Sequence, residues 1–395
     1  MPAAAPASHT VVPLVALAVA MAACTSADPA ATATSTVTDS AGVALVTGPA
    51  TDMPYPITLT EAFRLGGADS GAGSFSGVDP RLVGTDDAGR IYVLDRQQSR
   101  VEVFDRTGQP LAMLGRSGGG PGEIQDPAHL LVLPDGEVNV VDYAKRAIVR
   151  WSAEREVLPE IATDFFPSEP IWRRGDTLVY VHEDYGETGV ASDVRIQSPR
   201  DTLPLRSMRQ ATSGMIMFGC VGLNVPPMFS PRLLWQGTAD RLVITAQVPY
   251  VIDAFERGRL VRSIRRPIAT EAPTLAHVER LHPNGMKVGF GGGRSCTIPT
   301  SELFEKQGVA ELVPLVENLR FDPAGRLWVQ RFGMRDEPRS VDVFDAEGQY
   351  LGTLAGRSLP LGFIGTDTVL FADRDDDTGL VQRVAYPPAP APSSI

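Results

Sequence analysis

The chain has few of the features by which most enzymes are recognised. Of its 395 residues only three are cysteine and five are histidine. Asp and Glu (47) outnumber Lys and Arg (36), which gives a net charge of -11 and argues against binding nucleic acid or anionic lipid through a basic patch. HExxH and Gly-Lys-Ser/Thr motifs are absent, so a zinc-protease site and a phosphate loop have no support. GRSGG from Gly115 matches GxSxG but leads into another strand rather than a helix, so a serine nucleophile elbow has no support.

An apolar run near the start is too short to span a bilayer comfortably. It reads VVPLVALAVAMAA, residues 11–23, and ends in small residues, as a secretory signal does. Met21-Ala22-Ala23-Cys24 is similar to the bacterial lipobox, in which the cysteine becomes the lipidated first residue. We therefore predict a lipoprotein signal peptide over 1–23, lipidation of Cys24, and a flexible, polar tether over 24–38. An ordinary cleaved signal with an incidental cysteine is the alternative.

Two further cysteines, Cys220 and Cys296, agree with export. Neither has a second Cys or a His at ligand spacing, which argues against a metal site. Two thiols in an oxidising compartment pair readily, and the loop between these two is long, so a bridge would be stabilising. We predict a disulfide, with two buried free thiols as the alternative.

A repeated pattern occupies most of the remaining chain. DDAGRIYVLDRQQSRVEVFD begins at Asp86, and a near copy begins with DPAGRLWV at Asp322 and continues with VDVFDAEGQYLGTL at Val341. Alternating apolar and polar residues between Gly, Asp or Pro predict short antiparallel strands joined by tight turns. Six such units begin near Asp86, Leu130, Pro170, Pro231, Leu319 and Gly362.

Six units of about four short strands predict an all-β fold, a six-bladed β-propeller over 39–387 followed by a disordered tail over 388–395. The last blade of a propeller often takes its fourth strand from the N-terminus, and residues 55–65 are the expected donor. Such closure removes exposed sheet edges. A β-sandwich or two stacked β-domains are the alternatives, which the regular recurrence disfavours.

Residues 267–313, between the fourth and fifth units, do not follow the repeated strand pattern. EAPTLAHVERLH and SELFEKQGVAELV place apolar residues at helical spacing, and Ser301 is a plausible N-cap. We predict a partly helical insertion that a Cys220–Cys296 bridge pins to the propeller. Long loops on a rigid scaffold are where function usually lies.

The chain resembles bacterial six-bladed propeller lipoproteins related to NHL-repeat proteins. The resemblance lies in DSAGVALV from Asp39, GRIYVLDRQQSRVEVFD from Gly89, GRSGGGPGE from Gly115, GRLWVQR from Gly325 and the terminal DRDDDTGLVQRVAY. It covers roughly residues 39–386 together with the lipobox. That family is largely uncharacterised, so the resemblance implies the fold, a cell-envelope location and ligand or protein binding, with no catalytic residues to transfer.

Two other motifs suggest ligands but fit them poorly. The glycines of residues 115–122 would have to open a helix to hold a phosphate, whereas Pro121 and Glu123 lead into another strand. These glycines are predicted to let the chain cross between blades at positive φ. The aspartates of residues 373–377 lack the sixth-position Gly and distal Glu of a calcium loop, which favours a solvated acidic turn.

Candidate site residues are therefore few. Arg116 and Glu123 flank the glycine loop, Arg331 and Arg335 follow a strand of the fifth unit, and we predict that these four line the propeller mouth and bind a ligand. Surface salt bridges are the alternative. No catalytic residue and no cofactor is predicted, and calcium or another divalent cation is the alternative to a metal-free protein.

The predicted function is a lipid-anchored, extracytoplasmic and monomeric propeller, located in the periplasm or at the cell surface. It is expected to bind a protein, peptide or glycan rather than to catalyse a reaction. One alternative is a metal-dependent hydrolase of the lactonase type, which requires Glu, Asp and Asn side chains converging at one mouth of the channel. A purely structural role in the envelope is another.

Overall fold

The computed structural model of the chain describes residues 35–67, 72–74, 81–163, 171–186, 189–211, 214–289, 295–334, 337–372 and 378–386. They form the six sheets of a β-propeller, which confirms the predicted fold. The predicted signal peptide, most of the tether and the tail lie outside these residues, as does the acidic run 373–377. No helix among the described residues is long and apolar enough to cross a membrane.

Three strands precede the first blade: β1 (Thr36–Ser40), β2 (Val43–Thr47) and β3 (Thr58–Gly66). The tether was predicted to extend to residue 38, but β1 begins at Thr36. The β-branched side chains of Thr36, Val37 and Thr38 favour a strand, and these residues pair with β2. The last residues of the predicted tether therefore belong to the folded part.

The six blades follow in chain order, and neighbouring strands in each are antiparallel. Blade 1 contains β4 (Val83–Thr85), β5 (Ile91–Asp95), β6 (Arg100–Phe104) and β7 (Pro110–Leu114). Blade 2 contains β8 (Pro127–Val132), β9 (Val138–Asp142), β10 (Ala147–Trp151) and β11 (Val157–Ala162). Blade 3 contains β12 (Trp172–Arg174), β13 (Thr177–Gly186), β14 (Gly189–Gln197) and β15 (Thr202–Ala211), and the hairpin β16 (Met215–Met217) and β17 (Gly222–Asn224) follows it.

The second half of the ring is interrupted by the insertion. Blade 4 contains β18 (Leu234–Gly237), β19 (Arg241–Thr245), β20 (Val251–Glu256) and β21 (Arg259–Arg265). The insertion contributes α1 (Leu275–Leu281), β22 (Met286–Gly289), β23 (Ser295–Ile298), α2 (Thr300–Glu302) and a π-helical turn, Leu303–Gln307. Blade 5 contains β24 (Val316–Phe321), β25 (Leu327–Arg331), β26 (Ser340–Phe344) and β27 (Tyr350–Ala355). Blade 6 contains β28 (Gly362–Ile364), β29 (Thr368–Ala372) and β30 (Thr378–Ala385).

The core lies between the blades rather than at one centre. Strands such as β5 and β9 are buried along their whole length because each blade packs between two others. A separate hydrophobic cluster fills the interface between each pair of neighbouring blades, including the pair formed by blades 6 and 1. The ring is therefore stabilised around its full circumference.

The repeated Asp-x-x-Gly-Arg sequence forms the turn between the first two strands of a blade. Asp86 accepts hydrogen bonds from Arg90 N (2.9 Å), Arg90 Nε (2.5 Å) and Tyr92 Oη (2.9 Å), while Gly89 adopts a φ of 79°. The second copy uses Asp322, Gly325, Arg326 and Trp328 in the same way. The repeat is thus a structural turn, in which one carboxylate satisfies backbone and side-chain donors.

The ring closes through the N-terminal strand, as predicted. Strand β3 pairs antiparallel with β30, from Thr58↔Ala385 to Gly66↔Thr378, and so becomes the outer strand of blade 6. One addition was not predicted. Strand β2 pairs in parallel with β21, so that blade 4 has six strands and β1 is its outermost.

The predicted insertion is present and packs with the segment that precedes blade 4. We call the described parts of residues 214–230 and 267–313 the cap. They share a hydrophobic cluster that includes Ile216, Val278 and Leu303, and Met334 of blade 5 joins it. The predicted disulfide is confirmed, since Cys220 and Cys296 are bonded across the two parts of the cap. Ser301 is not an N-cap as predicted, because Pro299 occupies that position and Ser301 lies inside α2.

Candidate functional site

The strand order places the long connections at one face of the propeller. In an antiparallel four-stranded blade, the start of the first strand, the turn between the second and third, and the end of the fourth lie at the same end. This upper face carries the glycine loop, residues 115–126, the cap, and the described parts of the blade 5 loop 332–339. The Asp-x-x-Gly-Arg turns lie at the opposite, lower face.

The innermost strands surround a small central channel. Its cavity measures about 220 Å³. Its polar and aromatic lining comprises Arg81, Thr85, Trp172, Trp235, Gln236, Asn318 and Arg320. No Asp or Glu is among these described lining residues, and two guanidinium groups would repel a divalent cation. The converging carboxylates that the hydrolase alternative requires are therefore missing from the described lining.

The channel is narrow because the first strands of blades 1 and 2 touch. Leu130 N donates to Arg81 O at 2.8 Å, and a Cβ added to Gly84 would lie 2.5 Å from a methyl carbon of Val132. Pockets for small organic ligands usually have volumes of about 300–1,000 Å³. The channel is therefore smaller than a usual ligand pocket.

The glycine loop satisfies its own donors. Glu123 accepts from Arg116 Nε (2.8 Å) through one oxygen and from Gly120 N (2.8 Å) through the other. The Gly120 hydrogen bond, followed by the one from Arg116, lowers the pKa of Glu123. Gly115 and Gly122 have φ values of 78° and 71°, and the loop leads into a strand, as predicted. A carboxylate of the protein thus occupies the place that an anion would take in a phosphate loop.

A buried lysine fixes this loop from below. Lys145 Nζ donates to Gly120 O (2.9 Å) and Glu123 O (3.1 Å) and pairs with Glu160. Burial removes water from the ammonium group, and the two loop carbonyls replace that water as hydrogen-bond acceptors. The loop is therefore held in one conformation that presents Arg116 to solvent.

Arg331 lies in a buried ionic network between blades 4 and 5. It pairs with Asp52 and lies 3.3 Å from Asp342. Arg266 contacts the same two carboxylates, each at 2.9 Å. Burial of Asp52 opposes its ionisation and is the largest single effect, but hydrogen bonds from Arg331 and Arg266 and their charges together lower its pKa.

Neutral donors complete the coordination of Asp342. Its two oxygens accept hydrogen bonds from Tyr250 Oη (2.7 Å) and Thr353 Oγ1 (2.6 Å). Burial, followed by the charge of Asp342, raises the pKa of Tyr250 well above its ordinary value. Since the side chains of Arg266 and Asp342 are fully buried, this pair holds blades together, whereas Arg331 and Asp52 at the edge of the network are partly exposed.

Two adjoining cavities form a groove between blade 5 and the cap. They measure about 280 Å³ and about 100 Å³, and both are lined by Phe332, Gly333 and Glu337. We call these cavities together the blade 5 groove. Its charged lining comprises Arg331, Arg339, Glu337, Glu271 and His277. The groove thus presents charges of both signs on the upper face.

The charged side chains of the groove are held by neighbours but remain partly exposed. Arg339 Nη1 donates to Glu317 (2.7 Å) and to Gly333 O (3.2 Å). Glu337 accepts from Arg280 of α1 (2.8 Å) and from Met334 N (3.0 Å). The ion pair between Arg280 and Glu337 joins the cap to blade 5. The groove can therefore offer positioned donors and acceptors to a ligand.

Thr274, His277 and Glu271 superficially resemble a nucleophile, a base and its orienting acid. His277 Nδ1 lies 2.9 Å from Thr274 Oγ1, and Nε2 lies 3.4 Å from Glu271. However, Nδ1 also accepts from Thr274 N at 3.0 Å, which is the reciprocal contact of a capping box at the start of α1. Helix capping accounts for this arrangement without a reaction.

The four predicted site residues do not form one cluster among the described residues. Arg116 and Glu123 pair with each other in the loop between blades 1 and 2, whereas Arg331 pairs with carboxylates between blades 4 and 5. Arg335 lies outside the described residues. Ligand binding by these residues stays a prediction, which the groove supports for Arg331. Arg339 and Glu337 were missed, although the charged run RDEPR, residues 335–339, was a signal for them.

Comparison with known proteins agrees with this architecture. Residues 78–196 match the model of a family described as a 6-bladed beta-propeller. This match confirms the resemblance to bacterial six-bladed propellers that the sequence suggested. No curated protein matches the chain in sequence.

Solved structures share the fold at low sequence identity. A protein from Bacteroides fragilis NCTC 9343 described as exported is 11% identical, with 87% of this chain and 99% of that chain covered and a TM-score of 0.51. A member of the DUF4221 family from Bacteroides vulgatus is 8% identical, with 84% and 99% covered and a TM-score of 0.50. Virginiamycin B lyase from Staphylococcus aureus is 13% identical, with 84% and 100% covered, but its TM-score of 0.40 supports no inference. The similarities establish the fold alone.

Proposed function

We propose that this chain is an exported, lipid-anchored propeller that binds an extended peptide segment of a partner protein in the blade 5 groove. The observation that carries the proposal is the groove itself, two adjoining cavities with charges of both signs between a blade and a disulfide-bonded cap. A disulfide suits an oxidising compartment. A neighbour of the same fold is described as exported, which supports the location.

A peptide fits this surface better than a small molecule does. The groove is elongated by the union of two cavities of about 280 Å³ and about 100 Å³, whereas the channel is a single cavity of about 220 Å³. Arg339 and Glu337 can bind acidic and basic side chains respectively, and the blade 5 loop provides an apolar wall at Phe332 and Met334. Glycan binding is an outcome that the experiment below distinguishes.

The test uses the full chain as bait for a phage-displayed random peptide library and, in parallel, for a glycan array. Peptides selected by the wild type are expected to bind Arg339→Ala at least about tenfold more weakly, since a charged hydrogen bond contributes about 1.5–3 kcal/mol. Arg257→Ala is the matched control, because Arg257 is exposed on a turn of the lower face. Selection of glycans alone, or equal weakening by both variants, would refute peptide binding in the groove.

The lipid anchor has its own test. In cells that express the full chain, we expect the wild-type protein to be found in the membrane fraction. We also expect it to incorporate a labelled fatty acid. Cys24→Ala is expected to lose the label and to leave the membrane fraction. Unlabelled wild-type protein would show that the segment is an ordinary signal with an incidental cysteine.

A further inference from the structure

The hairpin of the cap exposes two methionines on one side. Strand β16 alternates, with Ile216 buried in the cap cluster and Met215 and Met217 facing outward. Their exposed fractions are 67% and 66%. Exposure of large apolar side chains to water is unfavourable. The outward position of these two methionines therefore calls for an explanation.

The two thioether sulfurs converge over a glycine. The register pairs Met217 with Gly222 on β17, and Gly222 has no side chain to separate the methionines. A Cβ added there would lie 2.9 Å from Met217 Sδ and 3.1 Å from Met215 Sδ. Both sulfurs are thus close to one point, and their separation cannot exceed 6.0 Å, which is 2.9 Å plus 3.1 Å.

The surrounding chemistry favours a soft, monovalent ion. Cys220, in the turn of the same hairpin, is bonded to Cys296, so its sulfur is not available as a thiolate. Glu302 is the carboxylate near this turn, and it is engaged by Gly219 N (2.8 Å) and Lys306 (2.6 Å). Thioethers are neutral and soft, and such ligands select Cu(I) over hard cations such as Ca²⁺.

We propose that Met215 and Met217 form a surface binding site for Cu(I), with both Sδ atoms as ligands and solvent or a donor from another molecule completing the coordination. The hairpin is suited to this role because the disulfide and Ile216 fix it to the rest of the cap. Binding forms two Cu–S contacts and involves no redox step when the metal is supplied as Cu(I). The proposal does not depend on peptide binding in the blade 5 groove.

The test offers the full chain Cu(I) as its weak acetonitrile complex, with ascorbate as a reductant that leaves the disulfide intact. The wild type is expected to bind one equivalent of copper, measured by titration calorimetry. Met215→Leu/Met217→Leu is expected to bind none, and either single variant to bind at least about tenfold more weakly. Leucine keeps the size and polarity of these exposed side chains, so the fold is preserved.

Two further variants make the result specific. Met113→Leu removes another exposed methionine, on blade 1, and is expected to behave as the wild type. Gly222→Ala inserts a methyl group between the sulfurs and is expected to weaken binding. Absence of copper transfer to the wild type, or equal transfer to the double methionine variant, would overturn the proposal. In the latter case the copper would belong to another site.

Discussion

The Arg266–Asp342 pair between blades 4 and 5 and the Arg116–Glu123 pair in the glycine loop have the same chemistry in different surroundings. Both side chains of the first pair are fully buried, whereas Arg116 is 81% exposed. Water screens an exposed pair, but a buried charge that loses its partner has no solvent to replace it. Burial therefore decides which pair holds the ring together and which one is free to meet a ligand.

The largest effect is expected from Asp342→Ala. The substitution removes the buried one of the two carboxylates that pair with Arg266 and also removes the acceptor of Tyr250, so stability should fall by about 3–5 kcal/mol. Urea unfolding at neutral pH, followed by tryptophan fluorescence, measures the change. A loss below about 1 kcal/mol would mean that water reaches Arg266 in the variant, as at a surface pair.

Tyr250→Phe should have the next largest effect, about 1.5–3 kcal/mol, because a hydrogen bond to a charged acceptor is lost. The pKa of Tyr250 is raised in the folded state, so its contribution is fully present below the ordinary tyrosine pKa of about 10 and is lost as the pH rises above that value. Unfolding curves between pH 7 and pH 11 (about one unit above that pKa) test this dependence. Wild type and variant should converge towards the alkaline end, and parallel curves would contradict the assignment.

Asp52→Asn should have a smaller effect, because 46% of the Asp52 side chain is exposed and solvent screens its charge. We expect a loss of no more than about 1 kcal/mol at neutral pH. The lowered pKa of Asp52 makes its contribution present above the ordinary aspartate pKa of about 3.9 and lost as the pH falls below it. Acid unfolding of the variant should therefore show a shallower pH dependence than that of the wild type, and identical profiles would exclude Asp52 as a contributor.

Arg116→Ala should have the smallest effect, with no measurable change in the midpoint of unfolding. Glu123 keeps its hydrogen bond from Gly120 N, and Lys145 still holds the loop. Thermal unfolding checks this expectation against Asp342→Ala measured in parallel. A clear drop in the midpoint would show that the exposed pair, too, stabilises the fold.

The parts of the fold that could be predicted from sequence have local causes. The Asp86 turn is repeated because one carboxylate bonds donors that follow within six residues, so its signature is contiguous in the chain. The glycine loop was predicted correctly for the same reason. The pairing of β3 with β30 is not local, but it follows from the need of a ring to close.

The missed features depend on residues far apart in the chain. Strand β2 pairs with β21, although no turn links them and nothing in DSAGVALV specifies that edge. Ligand binding by Arg331 stays a prediction, but its pairing with Asp52 and Asp342 was not predicted, because these partners come from the N-terminal segment and from the next strand. A charged residue at a strand end is equally consistent with a groove and with a buried pair until those partners are known.

The closure of blade 6 has a consequence for how the molecule is made. Strand β3 is synthesised before blades 1 to 5, but its partner β30 is synthesised after them. Blades 1 to 5 can form in order of synthesis, while β3 remains unpaired until β30 has been synthesised. Closure of the ring is therefore the last step of folding, because it needs strands from both sides of blades 1 to 5 in the chain.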